Sequence, residues 1–237
     1  MSRKITRVPE PKSGPLKEYT RRLFSKGPLN LVQSLLSVVE DYWFEKKYQL
    51  DTRSEVAIDD LDIDAAAKAQ ADKYKPTRKR YFRKVMEQLS LPPGGVFVDV
   101  GCGKGRVLLL ASHYGFDEVL GLEISPSLTD IARQNANNFK NRARGCSPIR
   151  VECTNVLDYK LTGAESVLFL YSPFGYEVTK QFVENLSLSL LTHPRDLWLI
   201  IDEFRFPELL VDNAQLGLKT IYEYGAATFH VYECDKQ

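Results

Sequence analysis

Residues 96–110 read VFVDVGCGKGRVLLL: a short apolar run, an acid, three glycines at alternating positions and a second apolar run. The first run is brief and rich in Val and Phe, which predicts a buried strand over Val96–Val100. The second, residues 106–114, has helical length and stops at Gly115, a residue suited to a helix C-cap. Gly101, Gly103 and Gly105 therefore occupy a tight turn from strand to helix. Such a turn carries no side chains, so a ligand can lie against its backbone and face free N–H groups and the positive helix end. The pattern predicts a nucleotide-type binding loop.

Outward from this loop the chain alternates between the two kinds of segment. Helices are predicted over residues 77–89 (with Thr77 as N-cap), 126–139 (opened by Ser125 and Pro126) and 176–191, with a short one around 208–213. Strands are predicted over residues 118–122, 149–153, 166–171 and 197–201. Two last runs, 218–224 and 227–233, are joined at Gly225 so tightly that they must form an antiparallel hairpin. Alternating β and α segments give an α/β fold: a seven-stranded doubly wound sheet, mostly parallel, closed by that hairpin. A ligand then sits beyond the carboxyl ends of the strands, where the first and fourth diverge.

The N-terminal part is organised differently. Residues 1–28, rich in Lys, Arg, Pro and Ser, read as a flexible basic arm. Residues 29–73 read as a small helical extension capping the domain. Leu31, Leu35, Val38, Val39, Tyr42 and Trp43 fall at helical spacing, which predicts an amphipathic helix packed through that stripe. An alanine-rich second helix is predicted over residues 63–73. The remaining domain runs from 74 to 237.

The composition limits what the molecule can be. At 237 residues the chain can bury one good core, and a formal net charge of +1 gives no global field toward nucleic acid or membrane. Four cysteines without CxxC spacing and three scattered histidines speak against a metal site and for reduced thiols, hence a cytoplasmic setting. No apolar run approaches the ~20 residues of a bilayer span, and no secretory h-region follows the basic N-terminus.

A dinucleotide site of the GxGxxG type would place glycines at 101, 103 and 106, but residue 106 is Arg, and that reading leaves Asp99 without a role. DVGCGKG, residues 99–105, resembles instead the first motif of the class I (Rossmann-like) S-adenosylmethionine-dependent methyltransferases, and the closing hairpin matches that superfamily too. The resemblance covers the chain from about Tyr74 to its end. It implies S-adenosylmethionine as methyl donor and assigns the donor site residue by residue. The backbone of Gly101, Cys102, Gly103 and Gly105 would meet the donor's carboxylate, and Asp99 its ammonium. In GLEIS, residues 121–125, Glu123 would accept both ribose hydroxyls, with Ile124 against the adenine. By position Asn155 takes the place of the acid that usually receives the adenine amino group, and the Val156 amide serves a ring nitrogen. YKPT, residues 74–77, is similar to an element that packs against the donor in certain protein-lysine methyltransferases, which adds Tyr74 and Thr77.

The acceptor side is signalled less fully. FLYSPFG, residues 169–175, ends the fourth strand and resembles a shortened form of the tetrapeptide of amino-group methyltransferases. It implies a cofactor contact by Tyr171 and catalytic positions at Ser172, Pro173 and Phe174, with a polar group to orient a nitrogen and a ring beside the sulfonium. YWFEKKYQLDTRSEVAIDDL, residues 42–61, together with YKPT and SPFG, resembles a group of bacterial methyltransferase-like proteins, which supplies fold and donor but no acceptor. A nitrogen on a protein or small molecule is the first expectation. The basic KRYFRK segment within residues 73–84 keeps a nucleic acid open, and a non-catalytic binding module on the same fold is the alternative of another class. Neither a membrane nor a metal is expected as partner.

Overall fold

The computed structural model describes residues 28–172, 174–225 and 227–234; the predicted arm falls almost wholly outside them. Seven strands form one sheet: β1 (Val96–Val100), β2 (Glu118–Glu123), β3 (Ile149–Cys153), β4 (Glu165–Leu170), β5 (Leu197–Asp202), β6 (Gly217–Tyr224) and β7 (Ala227–Cys234). Their order is β3-β2-β1-β4-β5-β7-β6. The first five strands are parallel, whereas β7 runs antiparallel to both β5 and β6. The order in which strands are added reverses between β1 and β4, the predicted ligand crevice.

The period-two pleat divides the core into two layers. Phe97, Phe169 and Ile200 point to one face, where they meet Phe82 and Leu108; Val98, Leu168 and Leu199 point to the other, where they meet Phe182 and Leu186. Helices α1 (Pro28–Tyr48), α3 (Lys79–Leu89) and α4 (Arg106–Ala111) belong to the first face and α6 (Tyr176–Thr192) to the second. Phe82, Phe97 and Phe169 are essentially fully buried, each contributing roughly 1.5–3 kcal/mol of transfer free energy.

Four sequence expectations change. The apolar stripe of α1 does not face the protein: Leu35 is 60 % and Trp43 58 % exposed, while Ser37, Asp41 and Phe44 are buried. The helix turns this alternative stripe inward because Asp41 has ionic partners there and Phe44 packs near Tyr48 and Phe139. Helix α2 is only Ala65–Gln70, opened by the Asp64 carboxylate accepting from the Ala67 N–H at 2.7 Å. Beyond it the chain is extended, Ala71 pairing with Phe174 and Tyr74 with Val56. Helix α4 stops at Ala111, where the Ser112 hydroxyl donates to the Leu109 carbonyl and a turn leads to Gly115. The segment near 208–213 is a 3-10 turn, Pro207–Leu210.

Thr77 does not cap α3 either. The N-cap is Arg78, and the N–H of Lys79 donates to the carboxylate of Asp41 at 3.2 Å. The cap of one helix is thus lent by another, which fixes the two together.

Candidate functional site

A cavity of about 870 Å3, its open mouth included, lies at the carboxyl ends of β1, β2 and β4. Of the residues read from the sequence, Tyr74, Gly101, Gly103, Glu123 and Ile124 line it, as do Asn155, Val156, Tyr171 and Phe174. Asp99, Cys102 and Thr77 are buried and do not line it. Cys102 turns its thiol away toward Gly121, where a Cβ would stand 2.7 Å from the sulfur. Gly105 opens α4 at φ +80° and leaves room for Ala132, so its lack of a side chain serves helix packing. Ser172 lies at a separate small cleft between the ends of β4 and β5 and helix α6. Pro173 falls outside the described residues.

The glycine loop differs from its expectation in one respect. Its N–H groups are not free: those of Gly101 and Cys102 donate to the Leu122 carbonyl, at 2.9 and 3.0 Å. That of Gly105 donates to the Cys102 carbonyl, and that of Gly103 to Glu123 Oε2 at 2.8 Å. The loop is a cradle by shape, and its amides hold the cradle to β2.

Glu123 therefore has a double position. Its carboxylate accepts from Gly103 and, at 2.9 Å, from the Ser125 N–H, yet it also faces the cavity. Burial pushes its pKa up, against the pull of these amides. Asp99 has its pKa held well above the ordinary Asp value, first by burial and then by the negative Glu123 nearby. Two buried carboxylates beside one cavity suit a ligand bearing a cation and hydroxyl donors. Ile124, Leu122, Leu128 and Val156 supply an apolar slot between them. Asn155 lines that slot, its side-chain carbonyl accepting from the Leu157 N–H at 3.0 Å in an Asx turn.

Residues 49–76 roof the cavity through ties that the sequence does not announce. The Arg106 guanidinium, 2 % exposed, pairs with Asp41, 1 % exposed, at 2.5 Å and donates to the Thr52 hydroxyl at 2.7 Å. Asn135 exchanges hydrogen bonds with the Asp51 backbone and donates to the Lys104 carbonyl, while the Lys104 ammonium donates to Asp51 and Ser54. Asp62 accepts from Ser125, Ser127 and the Ser127 N–H at the start of α5 (Pro126–Lys140), and these bonds draw its pKa down. The Tyr74 hydroxyl donates to the Thr52 carbonyl at 2.7 Å, and the Gly175 N–H donates to the Gln70 carbonyl at 2.6 Å. From this roof Leu61, Ala67, Gln70, Asp72, Lys73 and Lys75 also line the cavity. Asp41, in phase with Ser37, Phe44 and Tyr48, is the signal that marks the inward face of α1.

The geometry defines a class of protein: a doubly wound α/β domain with a roofed, acid-flanked small-molecule cradle at its switch point. Part of the chain is similar to known proteins. Residues 97–186 match the family model described as a methyltransferase domain. A ribosomal protein L11 methyltransferase of Burkholderia cenocepacia is 41 % identical over 54 residues, which are 23 % of this chain and 17 % of that protein. A histone-lysine N-methyltransferase of Cryptococcus neoformans, H3 lysine-79 specific, is 31 % identical over 81 residues, 34 % of this chain and 13 % of that protein. The chain thus spans less than a fifth of the length of either relative.

Among solved structures, an RNA methyltransferase from Salinibacter ruber in complex with S-adenosyl-L-homocysteine superposes with a TM-score of 0.52 at 18 % identity. That match covers 68 % of this chain and 95 % of the other. Magnesium protoporphyrin IX methyltransferase from Synechocystis, with bound S-adenosylmethionine, gives 0.50 at 16 % identity over 66 % and 79 %. These likenesses show the fold. Residues 97–186 thus match a methyltransferase domain, on a fold that these solved methyltransferases share. Among the described residues no helix is long and apolar enough to cross a membrane, and no cluster of His, Cys, Asp and Glu could hold a metal ion.

Proposed function

We propose that this protein is a methyltransferase that uses S-adenosylmethionine as donor and a nitrogen of a protein or small molecule as acceptor. The observation that carries the reading is Glu123 in the wall of a roofed cavity with the buried Asp99 beside it. The donor has a cationic methionine end, a ribose with two adjacent hydroxyls and a flat base. Asp99 answers the first, Glu123 the second, and Ile124 with Val156 the third. Lys73 and Lys75 border the same space and offer positive charge to the donor's carboxylate.

The protein's contribution to methyl transfer is alignment and dehydration. Tyr171 and Phe174 end β4 on the far side of the cavity from β2 and wall the place where an acceptor meets the methyl group. The roof excludes water, so the charge lost at sulfur and gained at nitrogen is handled by fixed groups. A nucleic-acid acceptor is the poorer reading, because the basic residues of α3 are engaged within the fold: Arg80 with Glu40, Lys79 over Phe44, Lys84 over Tyr224 and Arg83 with Glu87.

Calorimetry with S-adenosylmethionine, S-adenosylhomocysteine and NAD tests the donor assignment. The first two are expected to bind and NAD not. Labelling of a cell lysate with methyl-labelled donor then separates an enzyme from a binding module, which would take the donor and transfer nothing.

A further inference from the structure

We infer that the acceptor is an aliphatic primary amine and that Asp202, a residue absent from the sequence reading, is the group that holds it. The inference rests on the donor reading above, since it concerns the wall opposite the donor's proposed adenosine slot.

Strand β5 runs one residue further than its apolar run, ending at Asp202. The register Leu170↔Ile201 sets Tyr171 and Asp202 side by side in the next row, on the sheet face shared by Phe169 and Ile200. Asp202 is 2 % exposed, and its Oδ1 has no hydrogen-bond partner. The ionisable groups that face it are Glu203, Lys75 and Tyr171. Lys75 and Tyr171 both line the cavity, and the carboxyl lies beside them, directly behind that lining.

The backbone around it is held in an uncommon state. Ser172 has φ +31° and Glu203 φ +52°, both in the left-handed region that side chains disfavour. The Ser172 hydroxyl donates to the Glu203 carbonyl at 2.5 Å and clips the two strand ends together. Arg205 adds hydrogen bonds to the Ser172 and Phe174 carbonyls. Ser172 thus spends its hydrogen on the scaffold, and the polar group left over is Asp202.

A buried carboxyl oxygen without a donor is costly, and strain at two neighbouring residues adds to the cost. A ligand that supplies both a positive charge and N–H donors removes the first penalty. A primary ammonium does so, whereas an alcohol supplies one weak donor and no charge. In the reaction the ammonium yields one proton to the Asp202 carboxylate, and the freed nitrogen lone pair forms the N–C bond. The methyl carbon's bond to sulfur breaks with its electron pair remaining on sulfur, and the methylated nitrogen keeps the positive charge. Atoms and charge balance without a further reactant. Burial, first of all, together with Glu203, holds the Asp202 pKa well above the ordinary value, which suits a proton acceptor at neutral pH.

The test uses the full chain saturated with S-adenosylhomocysteine and two probes of equal size, n-butylamine and n-butanol, followed by NMR shift perturbation. The wild type should bind the amine at least tenfold more tightly than the alcohol. Asp202→Asn should lose about tenfold or more of the amine affinity, with S-adenosylhomocysteine affinity and melting temperature near those of wild type. Ser172→Ala should keep the amine preference. Equal binding of both probes by the wild type, or an undiminished amine preference in Asp202→Asn, overturns the inference and leaves the donor reading standing. Loss of S-adenosylhomocysteine binding in Asp202→Asn would place Asp202 in the donor site and also overturn it. If the wild type does not bind S-adenosylhomocysteine at all, the donor reading itself fails.

Discussion

The ring of Tyr74 rests against Gly103 so closely that a Cβ built on the glycine would stand 2.2 Å from Cδ2 and 2.3 Å from Cε2. Tyr74 belongs to the roof and Gly103 to the loop after β1, so this contact is where the N-terminal extension closes on the cradle. The tyrosine is fixed at its other end by its hydrogen bond to the Thr52 carbonyl.

Gly103→Val follows from that contact. The branched side chain meets the ring, and the backbone at φ +53° disfavours any side chain there. The variant is expected to fold, because the loop lies outside both core layers, but to lose the thermal stabilisation that S-adenosylhomocysteine gives the wild type. Adding Tyr74→Ala should relieve the collision and recover part of the melting temperature, not the ligand response. Full ligand stabilisation of Gly103→Val would remove the loop from the site.

The Arg106–Asp41 pair makes a stability prediction of a different kind. Both groups are buried, and Asp41 also accepts from the Lys79 N–H. Removing Asp41 strands the buried Arg106 charge, which costs roughly 3–5 kcal/mol for buried pairs, whereas removing Arg106 leaves Asp41 paired with Arg78 at 3.1 Å. In a chain of this size each kcal/mol moves the midpoint by about 2–4 °C. Asp41→Ala should therefore melt on the order of 10 °C below wild type, and Arg106→Ala less far below it. The double variant should cost clearly less than the two single effects added. Additive effects in a double-mutant cycle would mean that the pair carries no coupling.

These two sites also mark how far the sequence is legible. The strands are readable because VFVDV, EVLGLE and ESVLFL are buried on both faces and short, and order follows from β/α alternation. Glu123, Gly101 and Gly103 are readable because an acid or glycine at a strand end stands out from its surroundings. The roof is not readable in this way. Arg106 enters the sequence reading only as the wrong residue for a dinucleotide loop, and its partner Asp41 is 65 positions earlier in a helix whose apolar stripe points outward. Periodicity says that a helix is amphipathic and not which stripe has ionic partners waiting. Asp202 is hidden for a related reason: LIID followed by Glu203 reads as a strand running out into polar turn residues.

Glu123 is predicted to act on ligand and loop together. Glu123→Ala should weaken S-adenosylmethionine and S-adenosylhomocysteine alike, by about tenfold to a hundredfold, since hydrogen bonds to a charged group are worth roughly 1.5–3 kcal/mol. It also leaves the Gly103 and Ser125 amides without their acceptor. Glu123→Gln keeps one oxygen for an amide and should fall between wild type and alanine in both affinity and melting temperature. Calorimetry that finds wild-type affinity in a folded Glu123→Ala protein would take the ribose role away from this residue.

Asp99 carries the last prediction, and its sign comes from linkage. Burial and the neighbouring Glu123 raise its pKa well above 3.8 in the folded protein. The folded state therefore keeps this proton to higher pH than the unfolded chain does. The stability gained from it is fully present below the unfolded value and is lost as pH rises through the folded one. An ammonium placed beside the carboxyl reverses the preference and favours the ionised form. Binding of S-adenosylmethionine then expels a proton from Asp99, and affinity must rise as pH is raised. The useful window lies above 3.8 and below about 7.7–8.0, where an α-amino group itself loses its charge. Within it the dissociation constant should fall by up to about tenfold per pH unit while Asp99 titrates. Titrations in two buffers of different ionisation enthalpy should detect the released proton directly. Asp99→Asn should bind more weakly and with a flatter pH profile, and its own stability should exceed that of the wild type increasingly as pH rises. A wild-type affinity that does not change across this window, or an equal slope in Asp99→Asn, would show that the donor's ammonium is held elsewhere.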